Sequence, residues 1–462
     1  MAGSQIIALG RGFACTALAA IALSVAVTGA ASAQSLIRDA EIEGSLRAYA
    51  DPLLVAAGLE PRDVHVLIVN DPSINAFVAG GQNIFVHTGL ILAADTPNEL
   101  IGVMAHETGH IAGGHGARRS EAARQAMAPA LLSIGLGVLA IAAGAPQAGA
   151  ALIAGSQQFA MSSFVLHTQT QESSADQAAA TYLEATGQSG RGLIEFFNEN
   201  IRPYEFITRR APAWVMTHPF SSDRVEALRL RVEAGSHLDT PDSEDYQARF
   251  RFMQAKLVGF IRTQGQTLAR YPLTDQTQPA RYARAVAYYR TSDLTRARAE
   301  LDRLIADSPN NPYFHEFMGQ ILFENGRAEE SIPFHRRSVA LAPGQPLLLV
   351  NLARALTAAH GRQGADEAVA LLQQAIDRDD DNAYAWRELA QARDLRGEEA
   401  LAEFASAEQN FALGDYPAAL NFAERARRTL PHNTTEYQDS EDIVRIAGEE
   451  LRRRANENGR RS

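Results

Sequence analysis

The run AHETGHIAGGH at residues 105–115 limits what this chain can fold into. His106 and His110 are four positions apart, so on a helix both imidazoles lie on one face, one turn apart. Two neutral ring nitrogens held that way can bind a single Zn²⁺. Glu107 then lies beside the metal, where a carboxylate can take a proton from water. Leu100, Ile101, Val103 and Met104 precede the first histidine and give this helix an apolar side to bury. A further ligand must come from elsewhere, so the fold has to carry a distant stretch to this helix.

A zinc enzyme uses three protein ligands and keeps a fourth position open. The metzincin pattern needs a histidine six residues after His110, where residue 116 is glycine; His115 is one residue short, and that class is excluded. The other route takes a glutamate from a later helix. In TQTQESSADQAAATYL, residues 168–183, Glu172 and Asp176 are four apart and share a helical face. Glu172 can reach the metal, and Asp176 can orient a histidine ligand or assist proton transfer. A solvated helix face is the competing reading. Ala175, Ala178, Ala179 and Ala180 argue instead for close packing against another helix.

HETGH, then ESSAD, then THPFSSDR at 217–224, with INAFVAGGQNIFVHTGLI at 74–91, resemble the gluzincin peptidases of the HtpX and BepA type. The resemblance covers roughly residues 40–260. It implies that His106, His110 and Glu172 are the zinc ligands, one zinc per chain, with Glu107 the general base and Asp176 a supporting or proton-donating residue. It also implies that His218 lies at the zinc site, where it can fill the open position and silence the enzyme, or stabilise the transition state. Read from the residues alone, a histidine between Thr217 and Pro219 is a loop residue. Arg224 has two readings as well, a partner for Asp176 or a substrate carboxylate, and a surface position.

Residues 1–33 read as an export signal: Arg11 is its one charge, an apolar run follows from Phe13 to about Thr28, and Ala31-Ser32-Ala33 offers cleavage after Ala33. This implies a periplasmic protein, with an uncleaved anchor as the rival. Cys15 is the one cysteine and leaves with the signal, which excludes disulfides and cysteine-protease chemistry in the remainder. Net charge is −11, or −12 once Arg11 is removed, and gives no support to nucleic-acid binding. Lys256 is the single lysine among 43 basic residues, read here as genomic composition. Residues 126–156 carry no charge but contain Pro129 and Pro146. Buried helices beside the site are the preferred reading, with membrane contact or a true span as rivals.

The expected elements are a helix over 36–58, a strand at 64–71 and a hairpin pairing 75–78 with 83–86. One of these strands is expected to bind substrate backbone by strand addition. Helices follow over 192–202 and 246–264, with a polar loop at 233–245 and a linker at 270–280. Beyond 281 the pattern becomes helix, turn, helix. Pro312 and Pro346 are 34 apart, as are Gly319 and Ala353, and Pro309 and Pro343, while Ala390 lies 37 beyond Ala353. These units resemble tetratricopeptide repeats, about four of them, ending in a helix from Ser440 to Ala455 and a basic tail.

The fold class is thus mainly α: an α+β gluzincin metallopeptidase domain with a small sheet over 34–270, followed by an α-solenoid over 271–462. The resemblance implies a periplasmic zinc endopeptidase acting on unfolded or misassembled outer-membrane proteins. The repeats would bind substrate or the outer-membrane barrel-assembly complex. A second reading is an adaptor or chaperone whose protease is latent behind His218.

Overall fold

The computed structural model describes residues 36–116, 118, 147, 168–204, 214, 218 and 221–459. The export segment with its cleavage point, and the apolar stretch 126–156 apart from Gln147, lie outside the described residues. Among the described residues no helix is long and apolar enough to cross a membrane.

The first helix is shorter than its apolar pattern suggests. Leu36–Ile37 form a strand, β1, and helix α1 runs over Ala40–Ala56. Asp39 sets the boundary: its carboxylate accepts the N–H groups of Glu41 and Ile42 as an N-cap. The residues before it are left to pair antiparallel with β2, His65–Val69. The expected hairpin is present as β3, Ala76–Ala79, and β4, Asn83–His87. Gly80 and Gly81 turn it with φ of 61° and 96°, a region that favours glycine. The sheet order is β1-β2-β4-β3, with β2 and β4 parallel, so β3 is an edge strand.

After a short helix α2, Thr88–Ala93, helix α3 spans Pro97–Ala112. Thr96 caps it and Pro97 fits its first turn, where no donor is lost. Every residue of α3 from Pro97 to His110 is buried, so the histidine pair sits inside the fold. Helix α4, 168–185, crosses it closely. A Cβ added at Gly109 would lie 2.9 Å from the carbonyl oxygen of Ala175, so the glycine permits backbone-to-backbone contact. That contact brings Glu172 and Asp176 to the histidines. Helix α5, Arg191–Phe196, continues as a π-helical turn over Phe197–Ile201 rather than as one regular helix. Helix α6, Ser222–Glu233, is capped by Ser221, and α7 covers Glu244–Ile261.

Helix α8, Gln264–Arg270, then leads into the repeat array. Its members pair in order: α9 and α10 (Gln278–Arg290, Leu294–Asp307), α11 and α12 (Pro312–Glu324, Ala328–Leu341), α13 and α14 (Pro346–His360, Arg362–Ile376), α15 and α16 (Ala383–Arg396, Glu399–Ala412), α17 and α18 (Tyr416–Thr429, Thr435–Gly459). The described residues thus hold five helix pairs where the sequence suggested about four units. The lengthened connection at 377–382 breaks the 34-residue interval and hides α15 as the start of a unit. The last helix begins at Thr435, as half of a pair, and not at Ser440.

The first turn of α1 and the middle of α7 pack directly on this array. The ammonium of Lys256 on α7 reaches Asp39 Oδ2 at 2.8 Å, Glu41 Oε2 at 3.2 Å and Glu316 Oε2 on α11 at 3.9 Å. Tyr282 on α9 donates its hydroxyl to Glu41 Oε2 at 2.8 Å. Ala40 packs beside Leu347 and Leu348 of α13. The single lysine is therefore no compositional accident, since it is buried at 2% exposure where the N-terminal helix meets the repeats. A compact ammonium can face three carboxylates from three directions, which a planar guanidinium cannot do as readily.

One lysine cannot neutralise the buried Glu41 and Glu316 together with the half-buried Asp39. Burial pushes the Glu316 carboxyl from 4.5 up to about 7, with Asp39 and Glu41 adding to the rise and Lys256 opposing it. A carboxyl raised in the folded state contributes stability that is fully present below 4.5 and is lost as the pH rises through about 7. Glu316→Gln removes that ionisation. The variant's melting temperature is expected to match wild type near pH 5 and to exceed it near pH 8, by the equivalent of up to about 3 kcal/mol. Parallel melting curves for the two proteins across that range would show that Glu316 does not titrate as described.

Candidate metal centre

His106 and His110 present their Nε2 atoms to one point, 3.0 Å apart. Glu172 closes the set, with Oε2 at 3.4 Å from His106 Nε2 and Oε1 at 3.5 Å from His110 Nε2. His218 enters from the other side, its Nδ1 at 3.0 Å from Glu172 Oε2 and 3.4 Å from His106 Nε2. One ligand atom from each of these four residues lies within 4.8 Å of the others.

This arrangement fits a metal ion. A tetrahedral ion with bonds of about 2.0–2.1 Å holds its ligand atoms about 3.3 Å apart. Two neutral imidazole nitrogens at 3.0 Å repel each other unless a proton or a cation lies between them. The charges agree. Burial lowers His106, but Asp176 and Glu172 outweigh it and raise the ring to about 9, so the pocket favours positive charge. Burial pushes Glu172 up, yet His218 and His106 hold its carboxyl well below the usual range. His110 is held well below its ordinary value by burial and by the neighbouring His106.

Supporting groups surround the set. Asp176 Oδ1 lies 2.9 Å from His106 Nδ1, on the far side of the ring from the converging atoms. Arg224 binds Asp176 through Nε at 2.8 Å and Nη2 at 2.9 Å, and approaches Glu172 Oε2 at 3.3 Å. Burial raises Asp176, but Arg224 and His106 outweigh it and keep the carboxylate ionised. The Ser221 cap places Arg224 in the first turn of α6, where it is buried and paired, which disposes of the surface reading.

Glu107 is wholly buried and burial raises its carboxyl. Neither of its side-chain oxygens has a hydrogen-bond partner among the described residues, although His218 Nε2 comes within 3.5 Å of Oε1. An unsatisfied buried carboxylate beside a cation pocket is a group kept for chemistry rather than for packing. The edge strand β3 runs past it, and the carbonyl of Ala76 lies 3.3 Å from His218 Nε2.

All six site residues expected from the sequence, His106, Glu107, His110, Glu172, Asp176 and His218, thus meet in one pocket. Two others were missed. His115 places its Nδ1 2.9 Å from His110 Nδ1. Trp214 stacks on His218 with ring centroids 4.1 Å apart and planes at 21°, and its carbonyl accepts the His218 N–H at 2.7 Å. The four-residue spacing of Trp214 and His218, one helical turn, was the available signal.

Both parts of the chain resemble known proteins. Residues 39–232 match peptidase family M48, and residues 282–346 match the tetratricopeptide repeat. A beta-barrel assembly-enhancing protease of Yersinia pestis is 27% identical over 369 residues, covering 78% of this chain and 74% of that protein. The protein of the same name from Escherichia coli K12 is 28% identical over 335 residues, covering 71% of this chain and 67% of its own. Among solved structures, MamA aligns at 18% identity with a TM-score of 0.28, over 37% of this chain and 96% of that one. With its histidines, its glutamates and these matches together, the chain carries a metallopeptidase domain of peptidase family M48 followed by tetratricopeptide repeats.

Proposed function

We propose that this protein is a periplasmic zinc endopeptidase that removes unfolded or misassembled outer-membrane proteins. Its repeats would bind those substrates or the barrel-assembly machinery. The observation that carries the reading is the convergence of His106, His110 and Glu172 beside a buried, unsatisfied Glu107. Two imidazoles and a carboxylate, with no cysteine outside the export segment, suit zinc. Bound there, zinc supplies Lewis-acid polarisation of the scissile carbonyl and lowers the pKa of water in the pocket. Glu107 takes the proton of the attacking water and passes it to the leaving amine. The Asp176 carboxylate, 2.9 Å from His106 Nδ1, favours the proton on that nitrogen and so the tautomer whose Nε2 lone pair faces the pocket. Arg224 keeps Asp176 ionised in that role. The edge of β3, on which no further strand pairs among the described residues, is suited to align a substrate main chain as an added strand.

The names of the relatives support the outer-membrane role, and the charged-then-apolar N-terminus with its small-residue cleavage pattern supports export. The substrate is tested by incubating zinc-loaded protein with an unfolded outer-membrane β-barrel protein and with the same protein folded in detergent. Selective loss of the unfolded form is expected, and cleavage of neither would contradict the reading.

The position of His218 favours a second element, a resting state in which its ring takes the place a substrate would need. Trp214 at its back would hold it there. If the open state is a minor one, about 0.1–10% populated, His218→Ala raises cleavage of an unfolded protein by about 10-fold or more. An unchanged rate would remove the switch from the account, and a fall would assign His218 to the transition state instead. Wild type with no cleavage and an active His218→Ala would favour the adaptor reading.

A further inference from the structure

His106 and His110 each offer a second ring nitrogen pointing away from the converging set. For His106 that Nδ1 meets the Asp176 carboxylate at 2.9 Å. For His110 it meets not a carboxylate but another imidazole, His115 Nδ1, also at 2.9 Å. His115 is buried at 5% exposure.

The backbone is built to deliver this ring. Helix α3 ends at Ala112, and the next two residues are glycines. A Cβ at Gly113 would lie 2.3 Å from His115 Nε2, so any other residue would collide with the ring. Gly114 has φ of 60° and reverses the chain, folding residue 115 back on the end of its own helix. Gln171, one residue before Glu172, reaches toward the His115 carbonyl at 3.5 Å.

The tautomers follow from the geometry. For His110 to present an Nε2 lone pair to a metal, its ring proton must sit on Nδ1. That N–H donates to His115 Nδ1, which must be the acceptor and so carries its own proton on Nε2. We infer that His115 is a positioning residue, the neutral counterpart of Asp176, which orients His110 and fixes its ligating tautomer. Three carboxylates already meet in this pocket, Glu107, Glu172 and Asp176, and a fourth beside His110 would add further negative charge. A neutral acceptor orients the second histidine without that cost.

The inference rests on the proposal that His110 is a metal ligand, and the test separates the two. The zinc dissociation constant is measured by chelator competition on the full chain for wild type, His115→Phe and His115→Asn. Phenylalanine keeps the ring but not the acceptor, and the asparagine Oδ1 occupies roughly the place of Nδ1. His115→Phe is expected to weaken zinc binding by about 10- to 100-fold, with the melting temperature of the metal-free protein unchanged. His115→Asn is expected to recover most of that loss. If phenylalanine prevents folding, His115→Leu replaces it in the comparison. Zinc binding by the acceptor-less variant as tight as wild type overturns the inference alone. Equal weakening by Asn and Phe also overturns it, by assigning His115 to packing. A wild-type protein that takes up no zinc overturns the metal reading, and this inference with it.

Discussion

Glu107→Gln is expected to lower peptide cleavage by about 10²–10⁴-fold while leaving the metal content at its wild-type level. The side chain keeps its shape and loses its ability to take a proton. It has no hydrogen-bond partner among the described residues, so no structural bond is broken by the change. The three proposed ligands, His106, His110 and Glu172, keep their own contacts and should keep the metal. Stability should hold or rise slightly, because an ionisable group that burial disfavours is replaced by a neutral one. The check is a paired assay of zinc by elemental analysis and cleavage of an unfolded protein. Loss of zinc along with activity would make Glu107 a structural group, and retained activity would assign the proton transfer elsewhere.

Lys256→Met is expected to cost about 3–5 kcal/mol. The deleted ammonium is the one cation near Asp39, Glu41 and Glu316 among the contacts described, and the buried Glu41 and Glu316 would then face each other and the half-buried Asp39 without it. Lys256 is 2% exposed, so solvent has little access to the place it leaves. The loss falls at the contact between α1, α7 and the repeat helices, so calorimetry should show the cooperative unfolding of wild type lowered or split into two transitions. Adding Glu41→Gln and Glu316→Gln to Lys256→Met should restore much of the loss, because the uncompensated charges go with the lysine. A melting curve for Lys256→Met identical to wild type would contradict the role given to the cluster.

The parts of the site that were legible in the sequence are those fixed by helical periodicity. His106 with His110, and Glu172 with Asp176, each declare a shared face through a four-residue step. The alanines after Glu172 declare close packing against another helix, which the structure supplies at Gly109 of α3. The hairpin was legible in Gly80-Gly81 for the same local reason. What escaped depends on the chain turning back on itself. His115 was weighed only against a ligand spacing, whereas its role follows from the reversal at Gly113-Gly114. Lys256 escaped because two of its partners are in α1 and its cap and one is in α11, and no local pattern links them. Leu36 and Ile37 carry the same apolar signal as the helix behind them, and the Asp39 cap decides the boundary.

The most direct test of the central claim is the zinc content of the purified chain, wild type and Glu172→Gln, by elemental analysis after removal of loosely bound metal. One zinc per chain is expected in wild type and little or none in the variant, since Glu172 is the carboxylate that closes the set begun by His106 and His110. Zinc retained in full by Glu172→Gln, or wild type without zinc after loading, would contradict the assignment of the site.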